Sequence, residues 1–115
     1  MTKERRVFVV QVPARRTGPR GAWEPKYDLA PAEEFGRVVP VLDYGNVPED
    51  PEPTRARLRE AMADFDADCD YVLLLGDPVA CAQAVHVLAY DLGVPSFDVL
   101  KWDRRSGRYA PYQIG

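Results

Sequence analysis

The sequence predicts a small α/β domain with a mixed sheet of four to five strands. Three observations support this fold class. They are an apolar run over residues 70–75, a helical apolar stripe within residues 54–65, and alternating residues around Gly107 near the C-terminus. A chain of 115 residues supports one hydrophobic core but not two. We therefore expect residues 1–115 to form one domain.

The first predicted element is a short β-strand over residues 6–12, which are mainly β-branched or aromatic. Pro13 ends this strand because proline cannot donate to a strand ladder. Residues 14–36 contain repeated proline and glycine without a sustained period, so they predict a long basic loop. Proline and acidic residues predict one short helical turn at residues 31–35 within this loop.

A second strand is predicted at residues 37–43, and Pro40 restricts it to a sheet edge or a break. A Pro-rich acidic linker follows at residues 44–53. The next segment is predicted to be a helix from Arg55 to about Phe65, with Thr54 as its N-cap. Its apolar stripe has spacings of i, i+3, i+4 and i+7, at Leu58, Ala61, Met62 and Phe65.

The apolar run over residues 70–75 predicts a central strand that is buried on both faces. Asp77 as N-cap and Pro78 at the first position begin a second helix, which Gly93 ends. Alternating residues around Gly107 predict a closing β-hairpin. The predicted order is β-β-α-β-α-β-β, in which helices join parallel strands and the hairpin adds an antiparallel edge.

Charge and proline are both unevenly distributed along the chain. Residues 1–37 and 101–115 each carry a net charge of +3, whereas residues 38–100 carry −9. The total of −3 argues against an overall strongly basic nucleic-acid binder. Eight of the 11 prolines lie at or before Pro53, so the proline excess belongs to two irregular segments, residues 13–31 and 40–53.

The composition also bears on the compartment and on metal binding. The longest stretch without an ionised side chain, residues 78–90, is shorter than the roughly 20 residues that span a bilayer. We expect no membrane contact, no secretory signal and a cytoplasmic location. Two cysteines, Cys69 and Cys81, are then expected to be reduced thiols. With a single histidine and no Cys-x-x-Cys pair, we expect neither a metal site nor a cofactor.

The junction at Gly76 and Asp77 is a candidate ligand site, because ligands of open α/β sheets bind beyond the carboxyl ends of strands. A helix that starts there offers N–H groups to an anion, although Asp77 would repel a phosphate. The alternative is an ordinary capped helix start. Cys81 follows in this helix, and His86 lies about 140° further around it. We therefore expect Cys81 to be a buried thiol and not a nucleophile paired with a base.

The second predicted helix is apolar on nearly every side, and its polar side chains form one stripe, Gln83, His86 and Tyr90. A helix that is apolar all round is covered all round. Two interpretations remain open. Either the 14–36 loop covers this helix, or the helix packs against a second copy of the chain across a two-fold axis.

The two basic ends each combine arginine with aromatic residues. The first segment contains Arg15, Arg16, Arg20 and Trp23, and the second contains Lys101, Trp102, Arg104, Arg105, Arg108 and Tyr109. Arginine with aromatic residues suits phosphate binding and base stacking. It equally suits a protein interface, where these residue types dominate the binding energy. Solvated loop arginines are the third interpretation.

The C-terminal half resembles a group of small uncharacterised proteins encoded by tailed phages and prophages. The resemblance is carried by residues 70–79, which read DYVLLLGDPV, by VLKWDR at 99–104 and by RYAP at 108–111. The segment PAEEFG at residues 31–36 is also similar. The resemblance implies a phage or prophage context in a bacterial cytoplasm, and it implies no particular activity.

Together these observations predict a small non-enzymatic binding protein that docks on a host or phage protein. A homodimer through the second helix and coverage of that helix by the 14–36 loop stay open as alternatives. The basis is the lack of a catalytic motif together with two Trp/Arg segments. One alternative is a nucleic-acid-binding protein that uses the same basic segments. The other is a small-ligand or enzyme domain with its site at Gly76 and Asp77.

Overall fold

A computed structural model describes residues 4–17, 21–25, 28–43, 45 and 47–115. The strands in chain order are β1 (Arg6–Gln11), β2 (Ala14–Thr17), β3 (Ala22–Pro25), β4 (Arg37–Leu42), β5 (Tyr71–Leu73), β6 (Phe97–Asp103) and β7 (Arg108–Ile114). The helices are α1 (Ala30–Glu33), α2 (Pro51–Ala61) and α3 (Pro78–His86), and the π-helical turn Val87–Asp91 continues α3.

Five of the strands form one mixed sheet in the order β4-β1-β5-β6-β7. Strands β4, β1, β5 and β6 are parallel to one another. Strand β7 pairs antiparallel with β6, from Phe97 opposite Ile114 to Asp103 opposite Arg108. This arrangement confirms the predicted α/β class and the C-terminal hairpin. The apolar strand β5 lies at the centre, as predicted, and β4 with Pro40 lies at an edge.

The helices cover the two sheet faces unequally. On one face, α2 and α3 pack against β1 through a core that includes Leu58, Met62 and Phe8. On the other face, α1 places Ala32 against Val7 and further apolar residues of the sheet. The connection after β1 therefore crosses one face and the connection after β5 crosses the other, so these neighbouring strands form the topological switch point of the sheet.

The prediction that residues 14–36 form a loop is wrong at Ala14–Thr17 and Ala22–Pro25, which are strands. β2 and β3 form a separate antiparallel pair, in which Ala14 lies opposite Pro25 and Thr17 opposite Ala22. A two-stranded ribbon can form without the apolar alternation that marks a strand with one buried face, so the segment carries no period-2 signal. The predicted short helical turn is present as α1, which begins one residue earlier than expected.

The predicted boundaries of α2 also need correction. The helix begins at Pro51, and the side chain of Asp50, not that of Thr54, accepts a hydrogen bond from the Glu52 N–H at 3.1 Å. Prolines fit the first helical turn because its N–H groups have no helical partner, so Pro51 and Pro53 of the linker belong to the helix start. Thr54 is buried within α2, and Phe65 packs in the core beyond the helix end.

The predicted limits of the second long helix are confirmed. Asp77 caps α3, because its Oδ1 accepts the N–H groups of Val79 and Ala80 at 2.8 and 3.2 Å. The last turn is π-helical, with the Leu92 N–H donating to the Val87 carbonyl at 2.9 Å. Gly93 then adopts φ +68°, a left-handed conformation that ends a helix.

Candidate functional site

The carboxyl ends of the parallel strands β4, β1, β5 and β6 meet at one edge of the sheet, which we call the carboxyl edge. Several irregular segments begin there, including the β2–β3 hairpin and the turn between β6 and β7. The carboxyl edge also contains the switch point between β1 and β5, which is where open α/β sheets bind ligands. It is therefore the first place to look for a site.

The switch point is filled by the side chain of Gln11, which is 6% exposed. Its Oε1 accepts the Asp77 N–H at 3.0 Å, and its Nε2 donates to the carbonyls of Asp43 and Gly45 at 2.9 and 3.0 Å. The Gln11 N–H in turn donates to the Leu75 carbonyl at 3.1 Å. One side chain thus ties together the segments that follow β1, β4 and β5.

This arrangement argues against a ligand at Gly76 and Asp77. The Asp77 N–H is bonded to Gln11, the next residue is a proline, and the two following N–H groups are bonded to the Asp77 carboxylate. Gly76 adopts φ +98°, and a Cβ there would lie 2.4 Å from the Gln11 Cβ. The junction is therefore a close backbone crossing whose donors are already used by the chain itself.

Cys81 and His86 have separate partners. The Cys81 Sγ donates to the Leu75 carbonyl at 3.5 Å, while the His86 ring stacks on Tyr90 with 5.1 Å between centroids. Burial, together with the nearby Asp77 carboxylate, raises the pKa of the Cys81 thiol. The thiol is thus protonated at neutral pH, which does not suit a nucleophile.

An open apolar cleft of about 630 Å³ lies next to the switch point. We call it the Trp102 cleft, and it is lined by Asp28, Pro31, Leu75, Trp102, Arg104 and Tyr109. Trp102 and Tyr109 are cross-strand neighbours whose rings meet edge to face, with centroids 4.9 Å apart. Burial raises the pKa of the Tyr109 hydroxyl, so this ring is an uncharged phenol at neutral pH.

The structure brings only part of the predicted second segment into this cleft. Trp102, Arg104 and Tyr109 line it, whereas the Lys101 ammonium lies 5.8 Å from the centroid of the Tyr112 ring. Arg108 forms an ion pair with Glu34. The backbone N–H of Arg105 donates to Asp103 Oδ1 at 3.0 Å, which holds the turn between the strands.

The predicted first segment starts and ends beside the same cleft. Val12, just before the β2–β3 hairpin, packs in the same apolar cluster as Leu75, and Asp28, just after it, lines the cleft. Arg15 and Arg16 lie in β2, and Arg16 pairs with Trp23 of β3. Arg20 and the side chains of Arg15, Arg16 and Trp23 lie outside the described residues.

Sequence reasoning missed Asp28, Pro31 and Leu75 as parts of one site. Leu75 carried a usable signal, because it ends the buried strand run at the edge where ligands bind. Asp28 and Pro31 carried none, since only the path of the 14–36 segment brings them to β5.

The predicted stripe on α3 is open to solvent in the described structure. Val79 and Tyr90 are 75% and 76% exposed, His86 is exposed and Gln83 is half-buried. The described part of the 14–36 segment does not cover this side of α3, because α1 packs on the other face of the sheet. The opposite side of the helix, including Ala80 and Ala84, is buried against the sheet and α2.

Two further properties were searched for in the described part of the chain. Its His, Cys, Asp and Glu residues form no group of three or more that could hold a metal ion. None of its helices combines the length and the apolar character that a membrane crossing requires.

No curated protein and no solved structure matches the chain. A family described as Phage Pam3 gp32-like protein matches residues 5–115, which is nearly the whole chain. The expected resemblance to phage proteins is thereby confirmed and extends beyond the C-terminal half. The chain belongs to the Phage Pam3 gp32-like protein family.

Proposed function

We propose that this protein is a non-enzymatic binding protein that docks on a host or phage protein through the end of its β6–β7 hairpin. The contact surface, which we call the hairpin surface, comprises Lys101, Trp102, Arg104, Arg105, Arg108 and Tyr109. The observation that carries the proposal is the Trp102 cleft, where an exposed tryptophan, a tyrosine and an arginine meet at the carboxyl edge.

Two properties of the hairpin surface support a protein partner. Trp, Tyr and Arg supply most of the binding energy in protein interfaces, and Trp102 remains 45% exposed on this chain. The cleft beside Trp102 is open and mainly apolar, so a side chain of a partner can enter it. The β2–β3 hairpin contains the first Arg/Trp segment, and the residues that flank it, Val12 and Asp28, lie beside the cleft. This hairpin therefore extends the proposed contact surface.

The test is to identify the partner by photo-crosslinking in phage-infected cells and then to measure its affinity with purified proteins. A photoreactive residue replaces Arg105 in one variant and the exposed Glu60 of α2 in a matched control. With the purified partner, Trp102→Ala should weaken binding about tenfold or more, as expected for a central interface residue. Tyr90→Ala on α3 should leave the affinity unchanged. Equal affinities of wild type and Trp102→Ala would refute the proposal.

Nucleic-acid binding is the second candidate, because the same surface combines cations with aromatic rings. Two observations weaken it: Glu34 already neutralises Arg108, and the carboxylate of Asp28 lines the cleft. Single-stranded DNA and RNA oligonucleotides should be titrated at low and at physiological salt. An affinity that falls steeply with salt and needs Arg104 and Arg105 would favour this candidate, and no binding at low salt would eliminate it.

We also propose that two copies of the chain associate through α3. Val79, Ala82, Gln83, His86 and Tyr90 form one stripe without Asp, Glu, Lys or Arg, so a two-fold contact places no like-charged pair in the interface. Light scattering on the eluting protein should give a dimer mass. Val79→Asp should return the monomer mass. Gln113→Asp on the exposed strand β7 is the suitable control.

A further inference from the structure

We propose that the Trp102 cleft receives one apolar side chain of an extended peptide in the partner, flanked by an acidic residue for Arg104 and a basic residue for Asp28. This inference rests on the proposed function and specifies the chemistry of the partner. The expected ligand is a polypeptide that carries both signs of charge, and not a nucleic acid.

The walls of the cleft favour a single apolar anchor. Trp102, Tyr109, Leu75 and Pro31 supply apolar surface on several sides. The edge-to-face contact fixes the two rings, and the Leu75 carbonyl accepts hydrogen bonds from the Gln11 N–H and the Cys81 thiol. A cleft already held in shape loses little conformational entropy when a side chain enters it, which favours affinity.

The two charged residues of the cleft define what surrounds the anchor. The Asp28 carboxylate is oriented by the Ala30 N–H, which donates to Oδ1 at 2.9 Å. Within the described residues, no ion pair joins Asp28 to Arg104, although both line the cleft. A ligand that carries both signs of charge complements the two side chains together.

This charge pair distinguishes between classes of partner. A nucleic-acid backbone carries only negative charge, so Asp28 would oppose its phosphates while Arg104 attracted them. A peptide can place an acidic and a basic residue on either side of an apolar one. Arg104 can then bind a carboxylate through two parallel N–H donors, and Asp28 can accept from a lysine or arginine.

The test uses a library of random peptides displayed for selection against the purified full-length chain at physiological salt. Enriched peptides should share an apolar residue with an acidic residue on one side and a basic residue on the other. A synthetic peptide from this set, titrated against a Trp23→Phe background, should change the emission of Trp102. The same peptide with its acidic and basic residues exchanged should bind roughly tenfold more weakly.

Three variants test the role of each charged group. Arg104→Gln should abolish the preference for the acidic residue. Asp28→Asn, which keeps the oxygen that accepts from Ala30, should abolish the preference for the basic residue. Arg37→Gln is the matched control, because Arg37 is exposed at the start of β4, at the opposite end of the sheet from the cleft, and it should change neither preference.

The possible failures separate the two proposals. Selected peptides that bind the chain but are unaffected by Arg104→Gln, Asp28→Asn and Trp102→Ala would overturn the cleft assignment and leave a protein-binding function standing. Failure to enrich any peptide would also overturn the cleft assignment. Salt-dependent oligonucleotide binding that needs Arg104, with no enriched peptide, would overturn both.

Discussion

At the scale of single residues, Gly76 and Gln11 fill the switch point between β1 and β5. Gly76 has φ +98° and lies against the Gln11 side chain, whereas Gly107 has φ +66° with nothing within 4 Å of an added Cβ. Gly107→Ala should therefore cost only the backbone penalty, about 1–2 kcal/mol. Gly76→Ala should cost roughly 3–5 kcal/mol, because it also displaces a buried, fully hydrogen-bonded glutamine. Urea unfolding of both variants gives the comparison, and equal losses would contradict the clash.

Asp64 and Asp70 are a second matched pair, since both carboxylates bind Arg6. The side chain of Asp70 is 0% exposed and also accepts the backbone N–H groups of Arg6 and Asp66, whereas the side chain of Asp64 is 71% exposed. The hydrogen bond with Asp70 is the main reason that the pKa of Arg6 is raised. Asp70→Ala should lower the free energy of unfolding by about 3–5 kcal/mol, because it leaves buried donors unpaired.

Asp64→Ala should change the same free energy by less than about 1 kcal/mol, as is usual for exposed pairs. Chemical denaturation measures both variants. Similar losses in the two would show that the buried position of Asp70 is not what stabilises this corner of the sheet.

At the scale of elements, Asp91 joins α2 to the end of the α3 helix. Arg55 donates to its two oxygens at 2.9 and 2.8 Å, and Arg59 donates at 3.3 Å. These contacts, chiefly the hydrogen bonds with Arg55, lower the pKa of Asp91 to about 2. Because the pKa is lower in the folded state than in the unfolded state, the stabilisation is complete well above the unfolded value of about 3.9 and is lost as pH falls towards 2.

Asp91→Asn should therefore lower the melting temperature at pH 7, and the difference from wild type should shrink between about pH 5 and pH 2. Thermal unfolding followed by circular dichroism measures this difference. Glu60→Gln is the control, because it removes an exposed carboxylate from α2, the helix that carries Arg55 and Arg59. Its difference from wild type should not shrink in this way. A difference in melting temperature that stays constant down to pH 2 would mean that Arg55 and Arg59 do not lower the pKa of Asp91.

Elements with a strong local sequence signal were predictable, and elements without one were not. β1, β5 and α3 carry local signals, namely β-branched or apolar runs and a helix start at Asp77 and Pro78, so sequence placed them closely. The start of α2 was predicted four residues late, because Thr54 and Asp50 are both good caps and only the prolines of the first turn favour the earlier one. The β2–β3 hairpin was missed because its two four-residue strands, ARRT and AWEP, carry no alternation of apolar and polar residues.

At the scale of the whole molecule, the candidate site was predictable only in part. Trp102, Arg104 and Tyr109 stood out as an Arg/aromatic cluster within one hairpin. The cleft also needs Asp28 and Leu75, which are far apart in sequence and meet through the crossover that places α1 beside the end of β5. Composition identifies candidate side chains, whereas the topology of the sheet decides which of them share a cleft.

Two prolines lie in the sheet itself, one in each edge strand. Pro40 lies in β4 and Pro111 in β7, which are the two outer strands. Edge strands present unpaired N–H and C=O groups to other chains, and proline removes one donor from that row. Each edge of the sheet therefore lacks one N–H donor that pairing with another chain would use.

Pro111→Ala should strengthen association between sheets, because it restores an N–H group on the exposed strand β7. One additional backbone hydrogen bond contributes about 1 kcal/mol, so the association constant should rise roughly fivefold to tenfold. Sedimentation velocity over a concentration series measures this constant. Both variants should carry Val79→Asp as well, so that contacts through α3 do not contribute. Pro95→Ala, in the exposed loop before β6, is the matched control for the loss of a proline. An equal rise for Pro95→Ala would show that weaker folding, and not an opened edge, causes the association.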